Sequence, residues 1–146
     1  MGVISWLDRQ GQIHLRVYSL QPSNGKLVER RWDSNEWCDG ELTRKNFDSI
    51  SGAGATSWLD PRSGQVHIRV YVVGTNGKIM EYCWDKNKWY SGYFSNQFYG
   101  SSTPDATSWT DANGKVHIRV YAYNQDYVPK EYAWDGTRWS IGPYTE

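Results

Sequence analysis

The feature that most constrains this chain is that it is written three times. SWLDRQGQIHLRVY from Ser5, SWLDPRSGQVHIRVY from Ser57 and SWTDANGKVHIRVY from Ser108 each precede a second block: KLVERRWDSNEW, KIMEYCWDKNKW and PKEYAWDGTRW. The period is about 50 residues, and it divides the nine tryptophans into three per unit: Trp6, Trp32 and Trp37; Trp58, Trp84 and Trp89; Trp109, Trp134 and Trp139. A unit this short cannot bury a core alone, so neighbouring copies must stack on one another. The repeats, spanning approximately 1–52, 53–103 and 104–146, are expected to share one body.

Each unit reads as four short strands. In the middle copy these are ATSWL, VHIRVYVV, KIMEYCW and KWYSGY, parted by the turn-forming stretches DPRSG, GTNG and DKN. β-branched and aromatic residues dominate the strands, and no segment has helical periodicity of useful length. A repeated four-stranded unit of this size is the signature of a β-propeller blade, so the fold class expected is all-β. Three blades do not close a ring, which needs about four or more. An open arc would leave an apolar face at each end. The expectation is therefore a homodimer that closes a six-bladed ring, the third blade of one chain packing on the first blade of the other.

Composition excludes several classes of partner. Lys plus Arg number 16 and Asp plus Glu 16, a balance that gives no reason to expect nucleic acid. No apolar run approaches the ~20 residues of a membrane span. The N-terminal MGVISWLD lacks a charged segment followed by an apolar one, so a soluble chain without a visible export signal is expected. Two cysteines, Cys38 and Cys83, at non-equivalent positions suit small buried side chains better than a disulfide framework or a zinc site. The aromatic residues are mostly Trp and Tyr, with only three Phe. Such rings carry a polar handle and fit half-wet positions, either in a recognition surface or around a small β core.

Alternation along the strands limits which residues can meet. Glu81 and Trp84 lie three apart and must face opposite sides of their blade, as must Glu29 and Trp32, and Glu131 and Trp134. If glutamate and tryptophan act together, the glutamate of one blade meets the tryptophan of its neighbour. Whether Arg69 shares a face with Glu81 depends on the hairpin: a two-residue loop at Asn76–Gly77 separates them, and a three-residue loop with Gly77 left-handed unites them. In the first copy one added residue within LQPSNG preserves the facing if the loop has four residues. The arithmetic thus permits a groove with Arg and Glu on one wall and Trp on the other. A fork of donors, a pair of acceptors and a flat apolar plate suit a sugar. The alternative, weighed less, is an interblade ion pair with an indole packed over it.

The pattern HIRVY…GKI-E--WDG--W--G resembles the fucose-binding lectins of the fungal Aleuria type and their short bacterial relative from Ralstonia, over essentially the whole chain. The resemblance implies a six-bladed propeller that binds L-fucose or fucosylated glycans between blades. It implies one site from Arg16 and Glu29 with Trp84 and Trp89, and a second from Arg69 and Glu81 with Trp134 and Trp139. A third would pair Arg119 and Glu131 with the partner subunit's Trp32 and Trp37. Neither a cofactor nor a metal is implied.

Two departures stand out. Tyr127 occupies the place of Gly77, and since tyrosine suits a left-handed turn poorly, another loop shape is expected there. Arg31 stands where the other copies have Cys83 and Ala133, on the face of Glu29 and in competition for it. Other functions fit less well. A glycosidase needs two carboxyl groups about 5–9.5 Å apart, and each constellation supplies one. Asp33, Asp85 and Asp135 are expected to make side-chain turn bonds. One histidine per unit (His14, His67, His117) suits packing or a sheet hydrogen bond rather than metal, and DSNEWCDG does not follow the calcium-loop pattern. A propeller scaffold for protein–protein interaction is the main alternative.

Overall fold

In the computed structural model, which describes residues 1–144, the chain forms three four-stranded antiparallel sheets, each drawn from one repeat with its strands in sequence order. The first holds β1 (Gly2–Leu7), β2 (Ile13–Gln21), β3 (Lys26–Asp33) and β4 (Glu36–Asp39). The second holds β5 (Gly54–Leu59), β6 (Val66–Val73), β7 (Ile79–Asp85) and β8 (Lys88–Ser91). The third holds β9 (Asp105–Thr110), β10 (Val116–Tyr123), β11 (Pro129–Trp134) and β12 (Trp139–Ile141). These are three propeller blades. One helical turn, α1 (Glu41–Arg44), follows β4, where no helix is expected from periodicity; its Leu42 is fully buried. Among the described residues no helix is long and apolar enough to cross a membrane.

The central hairpins decide which side chains share a face. In the second blade the Gly74 N–H donates to the Lys78 carbonyl and the Gly77 N–H to the Gly74 carbonyl, leaving a three-residue loop with Gly77 at φ +74°. Tyr71 then lies opposite Glu81 and Arg69 opposite Cys83, so arginine and glutamate share a face. The first blade reaches the same facing with the four-residue loop Pro22–Gly25: Tyr18 lies opposite Glu29 and Arg16 opposite Arg31.

The third hairpin corrects the expectation for Tyr127. Its loop has the same shape as the second, with the Tyr127 N–H donating to the Asn124 carbonyl and Tyr127 itself at φ +57°. The Asn124 side chain accounts for this. Its Oδ1 accepts the N–H groups of Asp126 at 3.0 Å and Val128 at 2.9 Å, closing the turn around the strained residue.

Blades meet through β1 against β5 and β5 against β9, where the Thr56 and Ser108 hydroxyls are 2.7 Å apart. The core is divided between the two junctions. Tyr18, Leu27, Ile68 and Val72 fill the first, while Tyr71, Ile79, Ile118 and Val120 fill the second. The three phenylalanines, the rings without a polar handle, all serve as wedges here. Phe47 stacks on Tyr82 of the following blade at 3.9 Å, Phe98 lies tilted against Tyr132 at 4.3 Å, and Phe94 meets Tyr71 and Trp139 edge-on. Because Phe94 is fully buried, Phe94→Ala is predicted to cost about 3–5 kcal/mol, read as a lower urea midpoint. An unchanged midpoint would contradict the wedge role.

Candidate functional site

Each blade builds one wall around its arginine from the same four residue types. In the second blade Arg69 Nη1 donates to its neighbour Ile68 O at 2.8 Å and to Asp85 Oδ1 at 3.1 Å, while Nη2 lies 3.0 Å from Asp85 Oδ2. Beneath it lies the Trp58 ring, 4.9 Å from the guanidinium carbon, and the same indole stacks on His67 at 5.3 Å. His67 Nδ1 in turn bonds Asp85. The first blade repeats this with Arg16, Asp33, Trp6 and His14: Nη1 and Nη2 reach Asp33 at 2.9 and 3.1 Å, and the indole lies 4.8 Å from the guanidinium carbon. The third uses Arg119, Asp135, Trp109 and His117, with Arg119 Nη2 3.1 Å from Asp135 and the indole at 5.0 Å.

The aspartates are therefore not turn residues, which corrects the expectation for Asp33, Asp85 and Asp135. They lie an even number of residues beyond the glutamates, so alternation turns them onto the glutamate's face, within reach of Arg and His. In the first two blades two-point pairing with the carboxylate leaves arginine few alternative rotamers. Although burial pushes the Asp85 carboxyl up, hydrogen bonds from His67, Arg69 and Tyr90 hold it down at about 2. The histidines pack on the indoles, and their hydrogen bonds run to aspartate side chains rather than to the sheet.

The glutamates are the most enclosed charges. Glu29 and Glu81 are 3% and 4% exposed. Glu81 accepts the Tyr71 hydroxyl at 2.8 Å and the Phe94 N–H at 3.2 Å, and its Oε1 is 4.0 Å from Arg69 Nε. Glu29 accepts the Tyr18 hydroxyl at 3.1 Å and the Leu42 N–H at 2.9 Å, 3.7 Å from Arg16 Nε. Glu131 lies 3.1 Å from Arg119 Nε. Burial pushes the carboxyls of Glu29 and Glu81 above the ordinary range, opposed by these donors and by the arginines. Gly92 makes room for Glu81: a Cβ at that position would lie 1.9 Å from Oε2.

The opposite wall belongs to the next blade. Trp134 and Trp139 pair across β11 and β12 with ring centroids 5.8 Å apart, and with Val116 and Ile118 they face Arg69 and Glu81 across a cavity of about 230 Å³. Trp84 and Trp89, 5.5 Å apart, face Arg16 and Glu29 with Val66 and Ile68 across a smaller cavity of about 50 Å³. Two of the three constellations expected from sequence are thus gathered within one chain. The third is not, since Arg119 and Glu131 lie on the last blade and Trp32 and Trp37 on the first, with Trp37 44% exposed. Sequence reasoning assigned no role to Trp6, Trp58 and Trp109, to the Val–Ile pairs, or to Tyr90 and Tyr93 at the second groove. Facing alone places the first-strand indoles beside the histidines, because Trp58 lies directly across from His67.

A family profile described as fungal fucose-specific lectin matches residues 1–145. The chain belongs to that family. A fucose-specific lectin of Aleuria aurantia is 35% identical over 99 residues, which make up 66% of this chain and 29% of that protein. A fucose lectin from Kordia zhangzhouensis, solved with methyl-fucoside, is 71% identical and superposes with a TM-score of 0.96, covering 99% of this chain and 100% of that one. An Aleuria aurantia lectin solved with alpha-methyl-L-fucoside is 28% identical with a TM-score of 0.78, covering 97% of this chain and 45% of that one. The chain thus covers less than two thirds of the length of the Aleuria proteins it matches.

In the third blade the histidine of the wall lies between two carboxylates. His117 Nδ1 is 2.7 Å from Asp135 and Nε2 is 3.1 Å from Asp111. Hydrogen bonds with Asp135 and Asp111 raise the pKa of the imidazole, and those with His117 lower both carboxyls. The attraction is complete below the unfolded histidine value of about 6.5 and disappears as pH rises through the higher folded value. At the acid end it is present above the ordinary carboxylate range and is lost as pH falls through the lowered aspartate values. The His117 ring is predicted to titrate by NMR above about 6.5, with Asp135→Asn moving the midpoint down. A wild-type midpoint below that value contradicts the assignment.

Proposed function

We propose that this protein is a non-enzymatic, metal-independent lectin that binds L-fucose and fucosylated glycans in the grooves between neighbouring blades. The observation that carries the reading is the second groove, where Arg69 and Glu81 face Trp134 and Trp139 in a chain that shares 71% of its residues with a lectin solved with methyl-fucoside. The chemistry of the groove suits that ligand. Arg69 offers N–H donors and Glu81 an acceptor for hydroxyls, and charge-assisted bonds of this kind are the stronger ones. The indoles present flat apolar faces to sugar C–H groups, and Val116 with Ile118 adds an apolar patch suited to the methyl group of a deoxy sugar. Bond cleavage would require a second free carboxyl, but Asp85 is engaged by His67, Arg69 and Tyr90.

The two ends of the arc support closure by a second copy. Tyr18 and Tyr71, which a following blade covers, are fully buried, while Tyr121 at the equivalent position of the last blade is 37% exposed. Likewise Trp89 is 6% exposed against a preceding blade, and Trp37 of the first blade is 44% exposed. A homodimer forming a six-bladed ring would cover both ends, completing a third groove from Arg119, Glu131 and the partner subunit's Trp32 and Trp37.

Titration with L-fucose is predicted to change tryptophan fluorescence. Arg69→Ala should weaken the second groove about ten- to hundredfold without unfolding the chain, as expected for losing a charged hydrogen bond. A protein that ignores the monosaccharide would instead favour a protein-binding scaffold. Light scattering should give twice the single-chain mass, and a monodisperse single chain would refute the ring.

A further inference from the structure

The two grooves within the chain are built from equivalent residues, yet they differ greatly in free space. Trp6, Arg16, Glu29, Val66, Ile68, Trp84 and Trp89 of the first correspond one to one with Trp58, Arg69, Glu81, Val116, Ile118, Trp134 and Trp139 of the second. Three positions differ: Arg31 stands for Cys83, Cys38 for Tyr90 and Glu41 for Tyr93. Tyr93 is 88% exposed and Glu41 is also exposed, so these two rim their grooves rather than fill them. Arg31 is the substitution that puts bulk inside. The cavity shrinks from about 230 to about 50 Å³. The indole on the far wall is closed off in parallel, since Trp89 is buried and Trp139 only partly so.

The strand partners show how Arg31 is held. In the second blade Cys83 lies opposite Tyr90, whose hydroxyl donates to the second oxygen of Asp85. In the first blade the pair is exchanged for Arg31 opposite Cys38. Arg31 Nε donates to Cys38 Sγ at 3.1 Å, and Nη1 lies 3.6 Å from Asp33 Oδ2, the oxygen equivalent to the one that Tyr90 serves. Arg31 therefore makes no direct pair with Glu29, for which its facing allowed it to compete; it takes over the tyrosine's place at the aspartate. One sulfur acceptor and one loose ion pair, on a side chain 43% exposed, make an anchor that can be displaced.

We infer that Arg31 is a specificity-determining residue: a resident plug that keeps the first groove shut until it swings out, so that the first groove binds fucose more weakly than the second. The inference rests on the lectin reading above. A ligand that needs a minor conformer binds with its affinity reduced by that conformer's population. If the open form is about a tenth of the molecules, the first groove is about tenfold weaker.

Methyl-α-L-fucoside titrated by calorimetry tests this in proteins with a single working groove. Arg69→Ala with Arg119→Ala leaves only the first groove, and Arg16→Ala with Arg119→Ala leaves only the second. The first protein is expected to bind about tenfold more weakly, and adding Arg31→Ala to it should close the gap. The third blade already carries Ala133 at this position, so the substitution suits the fold, and circular dichroism checks it. The reverse exchange, Cys83→Arg with Tyr90→Cys, should weaken the second groove by a similar factor. Equal affinities at the outset, or a gap that persists after Arg31→Ala, overturn the plug while leaving the lectin reading intact. Failure of both single-groove proteins and of the wild type to bind overturns the two together.

Discussion

The architecture depends on the period of a β-strand. Because side chains alternate, a glutamate and a tryptophan three residues apart on one strand can never face the same way. Each blade therefore presents a polar wall on one side and an aromatic wall on the other, and a complete groove exists only where two blades meet. Trp84 illustrates the arrangement: it lies on the same strand as Glu81 yet lines a groove with Glu29. Blade packing and groove construction are one event, since Trp89 and Trp139 that line the grooves also meet the buried tyrosines Tyr18 and Tyr71 edge-on.

Within each polar wall the order of support runs from the outside in. His stacks on the first-strand indole, and the aspartate bonds both His and Arg; arginine then faces the glutamate, which in the first two blades a buried tyrosine hydroxyl and a backbone N–H also hold. No buried side-chain N or O among the described residues lacks a hydrogen-bond partner. A carboxylate enclosed to this degree is tolerated only when its lone pairs are occupied, because an unpaired buried charge costs several kcal/mol. Full engagement also means that the polar groups facing the groove are held in one arrangement before any ligand arrives, which reduces the ordering cost of binding.

Much of this was legible in the sequence because it follows from counting. The repeat period, the four-strand unit, the opposite facing of Glu and Trp, and the added residue in LQPSNG all reduce to parity along strands, and parity survives whatever the tertiary detail. What parity does not determine is the choice a side chain makes among partners on its own face. Tyr127 adopts a left-handed turn because Asn124, three residues earlier, bonds two backbone N–H groups there. Asp85 had the right parity to join Arg69, but its place at the end of a strand made a turn bond the better explanation from sequence. Arg31 was placed correctly on the face of Glu29, and its actual partner, Cys38, came from the neighbouring strand.

A groove shared by two blades also ties recognition to assembly. Within the chain the walls are held together covalently and by the phenylalanine wedges, so a ligand entering either groove needs no further association. The proposed third groove differs in kind, because its aromatic wall would come from a second chain. Any ligand that prefers the joined state must strengthen the joint by the same free energy with which the joint strengthens binding. Three grooves per chain, doubled by a ring, would then act on clustered glycans through effective concentration. That gain depends on whether the spacing of the grooves matches the spacing of the sugars, and it can exceed what any single shallow site supplies.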